Sequence, residues 1–338
     1  MTKPTPAQLV GQIEQLARGR VGVVGDLVAD IYISGLTERI SREAPVPVVR
    51  FEDQWLVPGC GANVAVNIAS VGAGVCVAGL VGEDEAGRDL AAVLTRAGVD
   101  VDGLVSCSDR PTTTKTRLLA GARHTIRQQL ARLDRDAPDP PSERVLGELA
   151  AVVKRLDEKV DAWIVSDYGY GSFDARLKTA LREIAVRKPV VADSRFDTLG
   201  FPGVTVIKPN EDEAIAATSI TDGSVAQMKL AARELIDRLD VRAVLITLGN
   251  QGMLLYERGG EPQHIPAVGT DEIVDLTGAG DTVAAVLAAC LASGVEMLGA
   301  ACLSNCAASV AVMKEGAASI TPAELLDAVR AAGDQAVP

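Results

Sequence analysis

The apolar positions of this chain fall into two textures. In the first, short and nearly continuous apolar runs recur: "RVGVVGD" (20–26), "VCVAGLVG" (75–82), "AWIVSD" (162–167), "PVVADS" (189–194), "VTVIKPN" (204–210) and "RAVLITLG" (242–249). Between them lie stretches that fit helices, at 61–72, 86–98 and 142–158, with two long ones near 278–314. A short amphipathic helix is expected over 7–18. Strands apolar on both faces, alternating with helices, predict a parallel sheet covered by helices on both sides. The second texture is polar and β-prone. "PVPVVRF" (45–51) carries two prolines and reads as an edge strand. "TTTKTRLLAG" (112–121) and "QQLARLDR" (128–135) read as exposed strands with one wet face. Such strands cannot join a buried parallel sheet, so they must pair with one another. The expected fold class is α/β: a three-layer α/β/α sandwich with a mostly parallel central sheet. A small β-sheet lid is inserted near 31–57 and 111–135.

Composition narrows the class. The 338 residues are 48% hydrophobic but only 3% aromatic, so Ala, Val, Leu and Ile must build the core. The net charge of −12, without a basic stripe, argues against a nucleic-acid partner. Residues 1–20 lack a basic segment followed by an apolar core, and the run 283–295 is too short to span a bilayer. No membrane association is expected. The six cysteines form no CxxC and sit among apolar residues, which fits reduced thiols in a cytoplasmic protein. With two histidines in the chain, a histidine-based metal site is not expected.

The candidate chemistry centres on "DLTGAGD" (275–281), directly ahead of a long apolar run. Small residues at a helix start expose backbone N–H groups where the helix dipole is positive. Gly278, Ala279 and Gly280 would thus form an anion hole. A carboxylate beside a bound anion makes sense as a base, so Asp281 would take the proton of an attacking hydroxyl. That pairing is what phosphoryl transfer needs. The alternative is an ordinary helix capped by Thr277, with Asp281 in its first turn.

Other segments agree. "KPNEDEA" (208–214) follows a strand and opens a helix, so Asn210 and Glu213 share a face. They offer hard oxygens for a hydrated Mg²⁺, a capping box, or both. "TLGNQG" (247–252), with Gly249 and Gly252, is a hairpin or a nucleotide contact. Asp26 and Asp30 lie at the end of the first strand, where α/β sheets bind ligands, and can accept hydrogen bonds from a polyol. No Walker A loop is present, since the chain has no GK dipeptide. "GCGANV" (59–64) is similar to the start of a dinucleotide fingerprint but has Val64 in the third glycine position.

Taken together these segments resemble the ribokinase-like (PfkB-type) carbohydrate kinases, with motifs in family order from about residue 20 to 325. The carrying residues are Gly25 to Asp30, "GCGANVAVN" with Asn63, Asn210/Glu213, "TLGNQG" and "DLTGAGD". The resemblance implies an ATP-dependent sugar kinase, a single domain over 20–338 behind an N-terminal helical extension (1–19). Asp281 would be the base and Gly278–Gly280 the anion hole. Asp30, Gly59, Gly61 and Asn63 would meet the sugar. Asn210 and Glu213 would join the Mg²⁺–phosphate network. Thr247, Gly249 and Asn305 would contact the nucleotide. In some members, positions matching Asp275 and Thr277 lie near a monovalent cation such as K⁺. The lid often also forms a dimer contact, which implies a homodimer.

Within the family, "ERISREAPVPVV" (38–49), "TTTKTRLL", "QQLARLD" and "SDYGYG" resemble the kinase domain of the bacterial heptose 7-phosphate kinases. The substrate implied is D-glycero-β-D-manno-heptose 7-phosphate, phosphorylated at O1. Another sugar or sugar phosphate of ribose or fructose type is the alternative, and a non-catalytic nucleotide- or sugar-binding protein a more distant one. The chain ends before any fused nucleotidyltransferase domain, so only the kinase half is expected. A sugar phosphate also needs local cations in so acidic a chain. Lys115 and Arg117 are the first candidates, with Arg39, Arg42, Arg123, His124 and Arg127 nearby. Four departures fall in regions expected around the substrate. Pro58-Gly59-Cys60-Gly61 breaks the usual Gly-Gly pair. Tyr170 replaces a lysine, and "DSRF" (193–196) replaces DPKG. Extra residues occupy 121–127.

Overall fold

The computed structural model describes residues 3–123, 125–137, 139–269 and 274–337. The chain opens with α1 (Pro6–Ile13) and continues through β1 (Arg20–Gly25), β2 (Leu27–Ile40), β3 (Pro47–Cys60) and α2 (Gly61–Ser70). Next come β4 (Gly74–Gly82), α3 (Glu85–Arg96), β5 (Asp100–Cys107), β6 (Thr113–Gly121) and β7 (Gln128–Arg135). Then follow α4 (Glu143–Asp157), β8 (Ala162–Asp167), α5 (Ala175–Ala185), β9 (Val190–Ser194), β10 (Val206–Ile207), α6 (Glu211–Ala217) and α7 (Val225–Leu239). The last elements are β11 (Ala243–Thr247), β12 (Met253–Glu257), β13 (Gln263–Ile265), α8 (Ala279–Ala292), α9 (Met297–Ala311) and α10 (Pro322–Ala332).

Nine strands form the large sheet in the order β13-β12-β11-β10-β9-β8-β1-β4-β5. All neighbours from β11 to β5 run parallel, while β12 and β13 close one edge antiparallel. Alternate side chains feed two cores. Val21, Val23 and Ile164 pack with α2, α8 and α9 on one face. Val24, Trp163 and Val165 pack with α4, α5 and α7 on the other. Trp163 needs room on its neighbour. A Cβ on Gly22 would fall 2.6 Å from the indole ring, and the indole N–H donates to Asp157 across 3.0 Å. α8 is apolar all round because it lies between the sheet and α9.

The second sheet has the order β3-β2-β6-β7. β2 pairs antiparallel with β3 and parallel with β6, and β6 pairs antiparallel with β7. The proline-bearing β3 is an edge strand, as its sequence requires. One residue, Asp26, separates β1 from β2, so the lid grows directly out of the central strand.

Some sequence expectations change. The helix expected over 7–18 stops at Ile13 and resumes as a short 3₁₀ turn, Leu16–Arg18. The strand expected over 204–210 shrinks to Val206–Ile207, since Pro209 has no N–H to give a ladder. β5, β12, β13 and α10 were not legible: the three strands are short or interrupted by polar residues, and tertiary pairing decides them. Among the described residues no helix is long and apolar enough to cross a membrane.

Candidate active site

The carboxyl ends of β1, β8, β9, β10 and β11 converge on the N-terminus of α8. Gly278 is the N-cap of that helix, with φ +79° and no side-chain cap. A Cβ there would come 3.1 Å from the Asn63 amide nitrogen, so the position requires glycine for both backbone and space. Thr277 is not the cap. Its N–H donates to the Asp275 carboxylate (2.8 Å), while Asp281 does lie in the first turn of α8. Asp275 also accepts from Gly316 N–H (3.0 Å). These donors, Thr277 foremost, hold its carboxyl below the usual range.

Asp281, in the first turn of α8, is 7% exposed. Asn63 donates to one carboxylate oxygen (2.7 Å) and the Tyr168 hydroxyl to the other (2.8 Å). Asn67 fixes the orientation of Asn63 by donating to its Oδ1 (3.1 Å). Burial outweighs both donors to Asp281 and pushes its carboxyl up to about 6. A carboxylate poised there is ionised at neutral pH and still basic enough to accept a proton.

Beside it lies a cleft of about 220 Å³ lined by Asp167, Tyr168, Asp193, Arg195, Lys208, Asn210, Glu213, Thr247 and Gly280. Asn210 and Glu213 form a reciprocal capping box at the start of α6, with bonds of 2.8 and 2.9 Å. The second Glu213 oxygen takes no part in that box. Burial raises the Glu213 carboxyl. Among the described residues no three His, Cys, Asp or Glu side chains form a closed metal cage. Mg²⁺ nevertheless fits this donor set, because it keeps most of its waters and binds through one or two protein oxygens plus substrate phosphates.

Lys208 was missed, although it precedes Pro209-Asn210 at the strand end. It is 4% exposed, ion-paired to Asp193 at 3.0 Å, and its Nζ is the nearest group to a Cβ placed on Gly280. Burial opposes its charge, but Asp193 more than compensates and its pKa is raised. It is a fixed cation beside the N-terminus of α8. The signal was its place at the carboxyl end of a strand.

Other sequence candidates fare differently. Thr247 lines the cleft, whereas Gly249, Gly252 and Asn305 are not among its walls. Gly252 has φ +90°, and a Cβ there would collide with Ile265 and Ala267, so it serves the β11–β12 hairpin. Asn305 is buried and donates to Pro266 C=O (2.7 Å). Asp26 is not free for a polyol. It is 2% exposed and accepts from Ser172 (2.6 Å) and from the N–H groups of Tyr168 (2.8 Å) and Tyr170 (3.1 Å).

Asp30 does reach the open side, ion-paired to Arg117 (2.5 Å). Arg117 stacks on Tyr32 (5.1 Å), and Tyr32 stacks on Trp55 (5.3 Å). Lys115 lies over the Tyr170 ring at 5.8 Å. Gly59 lies against the Asp30 carboxylate, where a Cβ would collide, and Gly61 donates its N–H to Asp26 C=O (2.9 Å). Between them Cys60 holds φ +54°, a conformation costly for any side chain. Arg127 is engaged by Glu52 and Ser34, while Arg39, Arg42 and Arg123 are exposed. His124 lies outside the described residues.

A model of the pfkB family of carbohydrate kinases matches residues 19–324. The chain belongs to this family. It is an ATP-dependent sugar kinase. The bifunctional protein HldE of Geobacter sulfurreducens is 38% identical over 310 residues, covering 90% of this chain and 61% of that protein. HldE of Paramagnetospirillum magneticum is 38% identical over 324 residues, covering 95% and 65%. This pfkB kinase thus spans less than two thirds of the length of these relatives. Arabidopsis thaliana ribokinase, solved with ribose and ATP, superposes with a TM-score of 0.70 at 22% identity over 92% of this chain and 99% of its own. Escherichia coli phosphofructokinase-2, solved with potassium, gives 0.72 at 17% identity over 92% and 98%. Both likenesses show the ribokinase-like fold.

Proposed function

We propose that this kinase transfers the γ-phosphoryl group of ATP to O1 of D-glycero-β-D-manno-heptose 7-phosphate, giving the 1,7-bisphosphate. The observation that carries the phosphoryl-transfer step is the buried Asp281 carboxylate, raised to about 6, at the uncapped N-terminus of α8. The heptose rests on the identity with HldE proteins, together with lid cations over the acceptor side. Asp281 takes the proton of the attacking hydroxyl as its oxygen bonds to phosphorus and ADP departs. The N–H groups of Gly278 and Gly280 and the Lys208 ammonium would hold the charge that develops on the phosphoryl oxygens, whereas the Ala279 N–H, expected to join them, donates to Leu276 C=O (3.3 Å). Glu213 and Asn210 would hold Mg²⁺, which supplies charge neutralisation to the phosphates. A K⁺ ion near Asp275 and Thr277 belongs to the same proposal. So does a homodimer through the lid, favoured by exposed Phe51 and Leu133, and a cytoplasmic setting, favoured by six free cysteines.

Lys115 and Arg117, the latter shared with Asp30, would meet the sugar's 7-phosphate. The test is ADP release over a panel of sugars and sugar phosphates. Heptose 7-phosphate should exceed free heptose by at least ~10² in kcat/KM, the scale of charge-assisted contacts. Arg117→Ala should erase much of that preference and leave the free sugar's rate nearly unchanged. Equal use of both sugars by the wild type would reject the assignment.

A further inference from the structure

The loop after β8 holds three polar groups on one buried carboxylate, and that arrangement has a target. Asp26, the single residue between β1 and β2, gathers the Tyr168 and Tyr170 N–H groups and the Ser172 hydroxyl. Its own N–H donates to Ser166 C=O in β8 (3.0 Å). The turn so gathered bends through Gly169 (φ +80°) and Gly171 (φ +89°). Its first side chain, Tyr168, delivers its hydroxyl to Asp281 Oδ1. Asn63 occupies Oδ2 from the opposite element, α2. The carboxylate is therefore gripped at both oxygens, and each oxygen keeps a further lone pair for a substrate proton.

We propose that Tyr168 is a positioning residue for the base, and that Asp26 acts through it by pinning the turn that carries it. The inference rests on Asp281 being the base. Tyr168 holds the carboxylate plane toward the acceptor hydroxyl and favours its ionised form. Its phenol stays a donor at every working pH, because burial first, and then the Asp281 charge, raise its pKa. The charged and titratable groups facing Asp281 are Tyr168 after β8, Asp193 at the end of β9, Lys208 after β10 and the Cys60 thiol ahead of α2. Of these, Tyr168 alone is bonded to the carboxylate.

The experiment is the pH profile of kcat for wild type, Tyr168→Phe, Asp26→Asn and Asp281→Asn, with thermal melting as a check on folding. Phenylalanine keeps the ring and removes only the donor. The acid limb should rise by about 1 pH unit, the scale of one hydrogen bond to a charged group. The plateau kcat should fall ~3–10-fold through lost alignment, with KM for sugar and ATP nearly unchanged. Asp26→Asn should move the limb the same way by less, because the phenol remains but its turn loosens. This variant also carries the test if Tyr168→Phe does not fold. An unmoved acid limb in the folded variants overturns the proposal and leaves Tyr168 a packing residue. Near-normal turnover by Asp281→Asn would instead overturn the base itself, so the two failures are distinguishable.

Discussion

The two sheets of this kinase are made of similar β-prone segments, yet they are held together differently. In the nine-stranded sheet, β1 and β8 are buried along nearly their whole length, and Val23 lies between Val77 of β4 and Ile164 of β8. Their stability comes from apolar burial on both faces. In the four-stranded sheet, β7 is exposed at all eight positions. It is tied by its backbone ladder to β6 and by the surface pair Arg135–Asp84 (3.9 Å). Exposed pairs of this kind contribute little. The difference teaches a division of labour. The rigid body holds Asp281, the N-terminus of α8 and the cleft, whose geometry must not drift if Asp281 is the base. The weakly held sheet carries Asp30, Lys115 and Arg117, which on the proposed function would move aside to admit a substrate and then exclude water.

The largest effect should come from the body. Asp281→Asn is expected to lower kcat by ~10²–10⁴, the usual span for a general base, with nucleotide binding preserved. The wild-type rate should fall as pH drops through about 6, where the base takes up a proton. Sign matters for stability too. Burial lifts the folded carboxyl above the ordinary carboxylate range, so ionising it weakens the fold as pH rises from that range through about 6. The inactive Asn variant should therefore melt no lower than wild type at pH 7. A marked fall in its melting temperature would mean that the ionised carboxylate stabilises the fold.

A pair of truncations sharpens the contrast. Ile164→Ala, at a fully buried site in β8, should cost about 2–5 kcal/mol through lost burial and a cavity. Leu133→Ala on β7, 71% exposed, should stay within about 0.5 kcal/mol. Equal costs in urea melts would show that the lid is as firmly built as the body. The smallest effect is local. Amides of β3, β6 and β7 should exchange at least ~10-fold faster than those of β1 and β8, reflecting low local stability. Sugar plus a nonhydrolysable nucleotide should slow the lid amides selectively. Equal protection with and without ligand would make the lid a rigid structural sheet.

Much of the site was legible as spacing. Gly278–Gly280 ahead of Asp281, and Asn210 three residues before Glu213, place their groups by helix geometry alone. The alternation of apolar strands and helices likewise sufficed for the layered α/β body, because burial on both faces of a strand leaves a local mark. Lys208 and Tyr168 were not legible, since nothing near them in sequence shows that they meet Gly280 and Asp281. Asp26 and Asp30 look equivalent as acids at one strand end. One is sealed by a turn whose Tyr168 lies 142 residues further along the chain, and the other reaches out to Arg117. The sequence by itself determined periodicity, caps and the glycines that backbone geometry demands, because those depend on neighbours a few residues apart. Which carboxylate is buried, which is raised toward neutral pH, and which donors grip it were decided only when distant strand ends met, since desolvation and hydrogen bonding are set by groups that converge in space.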